Sequence, residues 1–158
     1  MSKGYHNTES RKKILEDNTI RKWYFDACML EDMNTFGIFY KLHGQGIKSI
    51  ISHLSLGEAM GNCMANGEEA LTAYLELIHK INQDYCVIVG NDDLEEQFKK
   101  VKEMGRLSMT DSIHLATSLK YHCEKLLTKD CDLKDINKSK VKELGLKFNI
   151  LNFLIDKQ

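Results

Sequence analysis

The chain has 158 residues, of which 42% are hydrophobic and 28% are charged, with 22 Lys plus Arg against 23 Asp plus Glu. This length suits one domain, and the composition is typical of a globular protein rather than a disordered, collagen-like or disulfide-stabilised chain. The net charge of -1 gives no overall basic signature, so the protein is not expected to coat nucleic acid through its net charge.

The five cysteines are odd in number, widely spaced and without any C-x-x-C pair. This pattern favours reduced thiols over disulfides or a zinc site. No apolar stretch is long enough to cross a bilayer, and the polar start MSKGYHNTES lacks the apolar run of a secretory signal. We therefore expect a cytoplasmic protein.

Strand and helix patterns alternate along the chain. Residues 1–22 are polar and predict an amino-terminal extension with one short helix, and residues 23–158 predict the folded domain. Within it, short apolar runs that predict strands alternate with segments of helical periodicity. The predicted strands are 23–28, 47–52, 85–89, 125–128 and 147–151, and the predicted helices are 36–42, 71–81, 94–101, 110–119 and a segment ending near 144.

This alternation predicts the fold class. Apolar strands separated by helices indicate βαβ units with right-handed crossovers and a sheet covered on both faces. We expect an α/β fold: a three-layer α/β/α sandwich with a central, mainly parallel sheet of four to five strands.

Four acidic residues are placed so that this fold would bring them together. Asp26, Glu58 and Asp130 lie at or just beyond the carboxyl end of a predicted strand, and Asp111 opens the helix before the fourth strand. Ligands bind outside the carboxyl ends of parallel strands. Carboxylates crowded in one cleft repel each other, and Mg²⁺ or Mn²⁺ is the simplest compensation. The sequence predicts a metal site suited to phosphodiester hydrolysis.

Most of these acids also have a purely structural interpretation. The run Ser55-Leu-Gly-Glu58 matches a capping box, in which Glu58 would bond the amide of Ser55. Asp111, behind a predicted Thr110 cap, is a favourable charge at a helix start. Asp26 is harder to explain in this way, because a carboxylate inside an apolar strand is costly to bury.

Four segments resemble, in order, the motif blocks of the PIN domain family: YFDACML (24–30), ISHLSLGEAMGN (51–62), RLSMTDSIHLATSL (106–119) and KLLTKDCDL (125–133). The resemblance extends over roughly residues 23–151. It implies a PIN-like version of the expected sandwich.

The resemblance also assigns roles to the acids. It implies that Asp26 and Asp111 are the principal ligands of Mg²⁺ or Mn²⁺. Glu58 and Asp130 would complete the cluster directly or through water, with Asp132 as the fallback for the fourth position.

Several further residues stand near these acids in the motifs. Thr128 matches a family hydroxyl beside the fourth acid, where it would orient a carboxylate, a water or a phosphate. Cys28 stands where many relatives have Ser or Asn, and Arg106 is a candidate contact for substrate phosphate. His114 and His122 receive no role, because a lone helical histidine is usually packed or solvated.

The function implied by the resemblance is a Mg²⁺- or Mn²⁺-dependent endoribonuclease that hydrolyses single-stranded RNA through a water activated by the ion. Such a chain is most often a VapC-like toxin of a type II toxin-antitoxin pair, forming a homodimer blocked by its antitoxin. The alternative is a catalytically silent PIN-fold protein that binds RNA or acts as a scaffold. A HAD-type phosphatase would need a second Asp two residues after Asp26, where Cys28 stands.

Overall fold

Strands and helices alternate in the computed structural model, which describes residues 8–31, 35–105, 107–128 and 149–152. The strands are β1 (Lys22–Phe25), β2 (Lys48–Ser52), β3 (Cys86–Val89), β4 (Lys125–Thr128) and β5 (Asn149–Asn152). The helices are α1 (Thr8–Glu16), α2 (Phe36–Gly44), α3 (His53–Ala65), α4 (Glu68–Asp84), α5 (Glu95–Met104) and α6 (Met109–Lys120). A short 3₁₀ helix, Ala27–Leu30, follows β1.

The strands form one sheet in the order β3-β2-β1-β4-β5, and every neighbouring pair is parallel. The central strand β1 aligns Tyr24 with Ile50 of β2 and with Leu126 of β4. The expected parallel sheet is confirmed. Parallel strands share one carboxyl edge, so residues that follow β1, β2 and β4 are brought to the same side of the molecule.

Helices cover both faces of this sheet. Successive strand residues point to opposite faces: Ile50 and Leu126 pack in a core with residues of α5 and α6, whereas Ile51 and Leu127 pack in a second core with residues of α2, α3 and α4. The two cores enclose the sheet between two helical layers, which confirms the predicted three-layer α/β/α sandwich.

The amino-terminal helix α1 packs on the same face as α5 and α6. Ile14 is buried in their core, and Arg11 donates a hydrogen bond to the carbonyl of Ile88 in β3. The ammonium of Lys22 is buried and donates to the carbonyls of Ile14 at 3.0 Å and Asp17 at 2.9 Å. Burial lowers the pKa of Lys22. The predicted short helix is present, and the division into extension and domain stays a prediction.

Two predicted boundaries differ from the structure. The first strand ends at Phe25, because Asp26 turns the chain into the 3₁₀ helix, so this acid follows the strand instead of lying within it. Helix α6 is capped by Ser108, whose hydroxyl accepts the Asp111 amide at 3.1 Å, and Thr110 already lies inside the helix. A cap residue needs extended backbone, which Ser108 has.

Helix α3 also begins earlier than the capping-box pattern requires. Ser52 is its cap, with extended backbone and a hydroxyl that accepts the Ser55 amide at 3.2 Å. Ser55 therefore lies within the helix, and the capping box starting at this residue does not form.

Within the described residues, no helix is long and apolar enough to cross a membrane. The cysteines of this part of the chain form no disulfide with one another: Cys28, Cys63, Cys86 and Cys123. Cys131 and the predicted helix ending near 144 lie outside the described residues.

Candidate functional site

The candidate site lies at the carboxyl edge of the sheet, where three chain segments meet. Asp26 directly follows β1, Glu58 lies on α3 just after β2, and His114 lies on α6. Each side chain offers one possible ligand atom, and these atoms all lie within 4.8 Å of one another. The sheet order explains this meeting, because β1 and β2 are neighbours and both end at this edge.

The carboxylate of Asp26 is buried and held on both oxygens. Its Oδ1 accepts the amide of Ala27 at 2.7 Å, which caps the 3₁₀ helix, and its Oδ2 accepts the hydroxyl of Thr128 at 2.7 Å. Cys28 adds a weaker contact, with its thiol 3.6 Å from Oδ2. Because donors fix both oxygens, this carboxylate has a defined orientation before any ligand arrives.

His114 is the side chain that joins the two acids. It is 1% exposed, and its Nε2 lies 2.6 Å from Glu58 Oε1 and 3.3 Å from Asp26 Oδ1. Its Nδ1 lies 2.6 Å from the hydroxyl of Tyr24. From the sequence, His114 received no role, because a lone histidine on a helix is usually packed or solvated. The structure corrects this, since its ring nitrogens lie beside Tyr24 of β1, Glu58 of α3 and Asp26.

Asp111 lies one helical turn before His114, at the start of α6, and is 8% exposed. Among the described residues, the group of possible ligand atoms that lie within 4.8 Å of one another does not include an atom of Asp111. Thr128 contacts the first acid of the predicted quartet. Three predicted site residues lie outside the described residues: Asp130, Asp132 and Arg106.

Asn91, in the segment after β3, ties together the two helices that carry Glu58 and His114. Its Oδ1 accepts the amide of Leu54 in the first turn of α3 at 2.9 Å, and its Nδ2 donates to Thr117 of α6 at 2.9 Å. This bridge fixes the spacing of α3 and α6 at the site.

A cluster of buried hydroxyl groups lies behind His114. The Tyr24 hydroxyl lies 2.7 Å from Ser52 Oγ and 3.1 Å from Ser55 Oγ, and Ser55 Oγ donates to the Phe25 carbonyl at 2.9 Å. Burial raises the pKa of Tyr24 above its ordinary value, so the phenol stays neutral.

No family model matches the sequence, and no curated protein matches it. Among solved structures, the fold is similar to a chain in the crystal structure of VapBC2 from Rickettsia felis bound to a DNA fragment from their promoter. The two chains are 9% identical with a TM-score of 0.59, and the match covers 82% of this chain and 97% of that chain. At this identity the likeness shows the fold alone. The fold is a PIN-like three-layer sandwich.

The donors at the edge of this PIN-like sheet fit a small divalent cation. Asp26 and Glu58 offer carboxylate oxygens, the ligand type that Mg²⁺ and Mn²⁺ prefer, and both converge on one point with the imidazole of His114. Two converging carboxylates repel each other unless positive charge lies between them. The arrangement is therefore suited to holding a cation.

Proposed function

We propose that the protein is a Mg²⁺- or Mn²⁺-dependent endoribonuclease that hydrolyses phosphodiester bonds of single-stranded RNA. The observation that carries this proposal is the meeting of Asp26, Glu58 and His114 at the carboxyl edge of a PIN-like sheet. The resemblance of the sequence motifs to the PIN domain family supports the same function and the same acids.

In this proposal Asp26 and Glu58 hold the ion together with Asp111 and Asp130. When bound, the ion activates a water and neutralises charge on the phosphate. The protein's part is to fix the ligands: Ala27 and Thr128 hold the Asp26 carboxylate by both oxygens. Because that carboxylate is already oriented, little reorganisation accompanies the binding of metal and substrate.

We also propose that the protein is the toxin of a toxin-antitoxin pair, acting in the cytoplasm as a homodimer with a cognate antitoxin. The sequence resembles VapC-like toxins, and one solved structure with a similar fold is of VapBC2. An antitoxin segment that covers the carboxyl edge of the sheet would block the site.

The test is cleavage of a mixed pool of single-stranded RNA with Mn²⁺, with Mg²⁺ and with EDTA. We expect cutting only with metal, and a loss of about 100-fold or more in Asp26→Asn, since an ion stabilises the reacting phosphate by several kcal/mol and each 1.36 kcal/mol is about tenfold in rate. Glu76→Gln is the matched control, because Glu76 is an exposed carboxylate on α4.

Equal cleavage by the wild type and Asp26→Asn would refute the proposed site. Absence of cleavage by both proteins, with Mn²⁺ still bound by the wild type, would favour the silent RNA-binding or scaffold alternative.

A further inference from the structure

The ring of His114 is oriented by the buried hydroxyl groups behind it. A carbonyl oxygen only accepts, so the proton of Ser55 Oγ points to the carbonyl of Phe25. Ser55 Oγ is then left to accept, either from Ser52 Oγ at 3.3 Å or from the Tyr24 hydroxyl at 3.1 Å. The carbonyl of Phe25 therefore fixes the direction of the Ser55 proton, away from the histidine.

Among the hydroxyl contacts alone, the order with the most hydrogen bonds begins with a proton on Nδ1 of His114. In this order Nδ1–H would donate to Tyr24, Tyr24 to Ser52, Ser52 to Ser55, and Ser55 to the carbonyl of Phe25. The other tautomer loses one hydroxyl contact, because Tyr24 then donates to Nδ1, and it gains a hydrogen bond from Nε2–H to Glu58 at 2.6 Å. The loss matters because Tyr24 and both serines are fully buried, which leaves no room for water to replace it.

With its proton on Nδ1, His114 presents the lone pair of Nε2 to the two acids. Nε2 lies 2.6 Å from Glu58 Oε1 and 3.3 Å from Asp26 Oδ1, so three acceptors face one point. Two ligand atoms at right angles on one small divalent ion lie about 3 Å apart, given bonds of about 2.1 Å. The observed separations bracket this value.

We propose that His114 is itself a metal ligand through Nε2, held by Tyr24 as its outer partner, and that this nitrogen makes the site prefer Mn²⁺ to Mg²⁺. Imidazole nitrogen suits transition-metal ions, whereas Mg²⁺ takes oxygen ligands. A histidine that binds a metal donates its other ring N–H to a fixed acceptor. The oxygen of Tyr24 lies where this acceptor is needed, beside Nδ1. The inference rests on the proposed function only in placing a divalent ion at the site.

The test is pulsed electron paramagnetic resonance on the full chain loaded with Mn²⁺, which detects nitrogen bound directly to the ion. We expect nitrogen coupling in the wild type and in His79→Gln, a control at an exposed histidine of α4, and loss of the coupling in His114→Gln. Bound Mn²⁺ without nitrogen coupling in the wild type would overturn the proposal, as would coupling that persists in His114→Gln or a wild type that binds no Mn²⁺.

A second measurement does not remove the histidine. Tyr24→Phe deletes the hydroxyl that holds Nδ1, and we expect Mn²⁺ affinity, measured by calorimetry, to fall about 10–100-fold. Tyr74→Phe deletes another buried hydroxyl, which donates to Leu56 at 3.0 Å, and should leave Mn²⁺ affinity unchanged. Equal affinities in these two variants would contradict the outer role of Tyr24.

The two proposals fail separately. Nitrogen coupling without RNA cleavage would keep His114 as a ligand and remove the ribonuclease. Cleavage that depends on Asp26, without nitrogen coupling, would keep the ribonuclease and remove His114 as a ligand. A ratio of Mn²⁺ to Mg²⁺ affinity that does not fall by about tenfold in His114→Gln would refute the selectivity.

Discussion

At the scale of single residues, His114 shows what local sequence cannot report. Its partner Tyr24 is 90 residues away and its partner Glu58 is 56 residues away. The available signal was its spacing from Asp111, since residues three apart on a helix share a face. A histidine that lies one turn after a predicted metal ligand, on the same helix face, is itself a candidate site residue.

Asp26 was predicted from the cost of burying a carboxylate among apolar residues. The structure shows how that cost is offset, by the amide of Ala27 and the hydroxyl of Thr128. The sequence placed Thr128 beside the fourth acid, and its contact with the first acid follows from the pairing of β1 with β4.

Thr128→Val tests this contact, because valine keeps the shape and removes the hydroxyl. We expect the free energy of unfolding to fall by about 1–2 kcal/mol, measured by urea titration, because a buried carboxylate oxygen loses its donor. Mn²⁺ affinity should fall about tenfold or more. Thr128→Ser keeps the hydroxyl and should stay near the wild type in both; equal losses in the two variants would show that packing, and not the hydrogen bond, matters.

At the scale of elements, the strands were easier to predict than the helix that carries Glu58. The segment of β4 was predicted with its observed ends, because four residues of strand type stand between polar neighbours. Helix α3 was indicated only by the capping-box pattern at Ser55, since its buried side chains are small: Ser55, Ala59 and Cys63. Their four-residue spacing is helical, but small residues give little hydrophobic signal.

Helix α1 depends on one buried ammonium at its carboxyl end. The last carbonyls of a helix lack partners within it, and Lys22 donates to the carbonyl of Ile14 in the last turn and to that of Asp17, just after the helix. Lys22→Met keeps the length of the side chain and removes the donor. We expect amide hydrogen exchange in α1 to accelerate about tenfold or more, because local opening costs less free energy.

Exchange in β1 and β4 should stay unchanged in Lys22→Met, because their ladder hydrogen bonds do not involve this ammonium. Lys99→Met, at an exposed position of α5, is the control. Uniform acceleration through the sheet would show that Lys22 supports the whole fold and not α1 alone.

At the scale of the whole molecule, the sheet is stabilised by two separate cores. Ile50 faces the core of α5 and α6, and Ile51 faces the core of α2, α3 and α4. Both side chains are fully buried. The acidic site lies where the two layers meet over the carboxyl edge, with His114 from one layer and Glu58 from the other.

Ile50→Ala and Ile51→Ala should each lower the free energy of unfolding by about 2–5 kcal/mol, because each leaves a cavity in a packed core. Leu75→Ala, at a half-exposed position of α4, should change it by about 0.5 kcal/mol or less. The measurement is urea unfolding followed by circular dichroism and by the fluorescence of Trp23, the single tryptophan. Different urea midpoints by circular dichroism and by fluorescence would show that the layers unfold independently.

The sequence by itself determined the alternation of strands and helices, the three-layer class, and the placing of Asp26 and Glu58 near the carboxyl ends of successive strands. These features depend on hydrophobic periodicity and on the order of elements along the chain, and both can be read from consecutive residues. Only the tertiary structure decided that His114 joins those acids and that Tyr24, Ser52 and Ser55 orient its ring. Such contacts depend on the distance and rotation of α3 and α6 across the sheet, which the packing of both layers sets and no local pattern encodes.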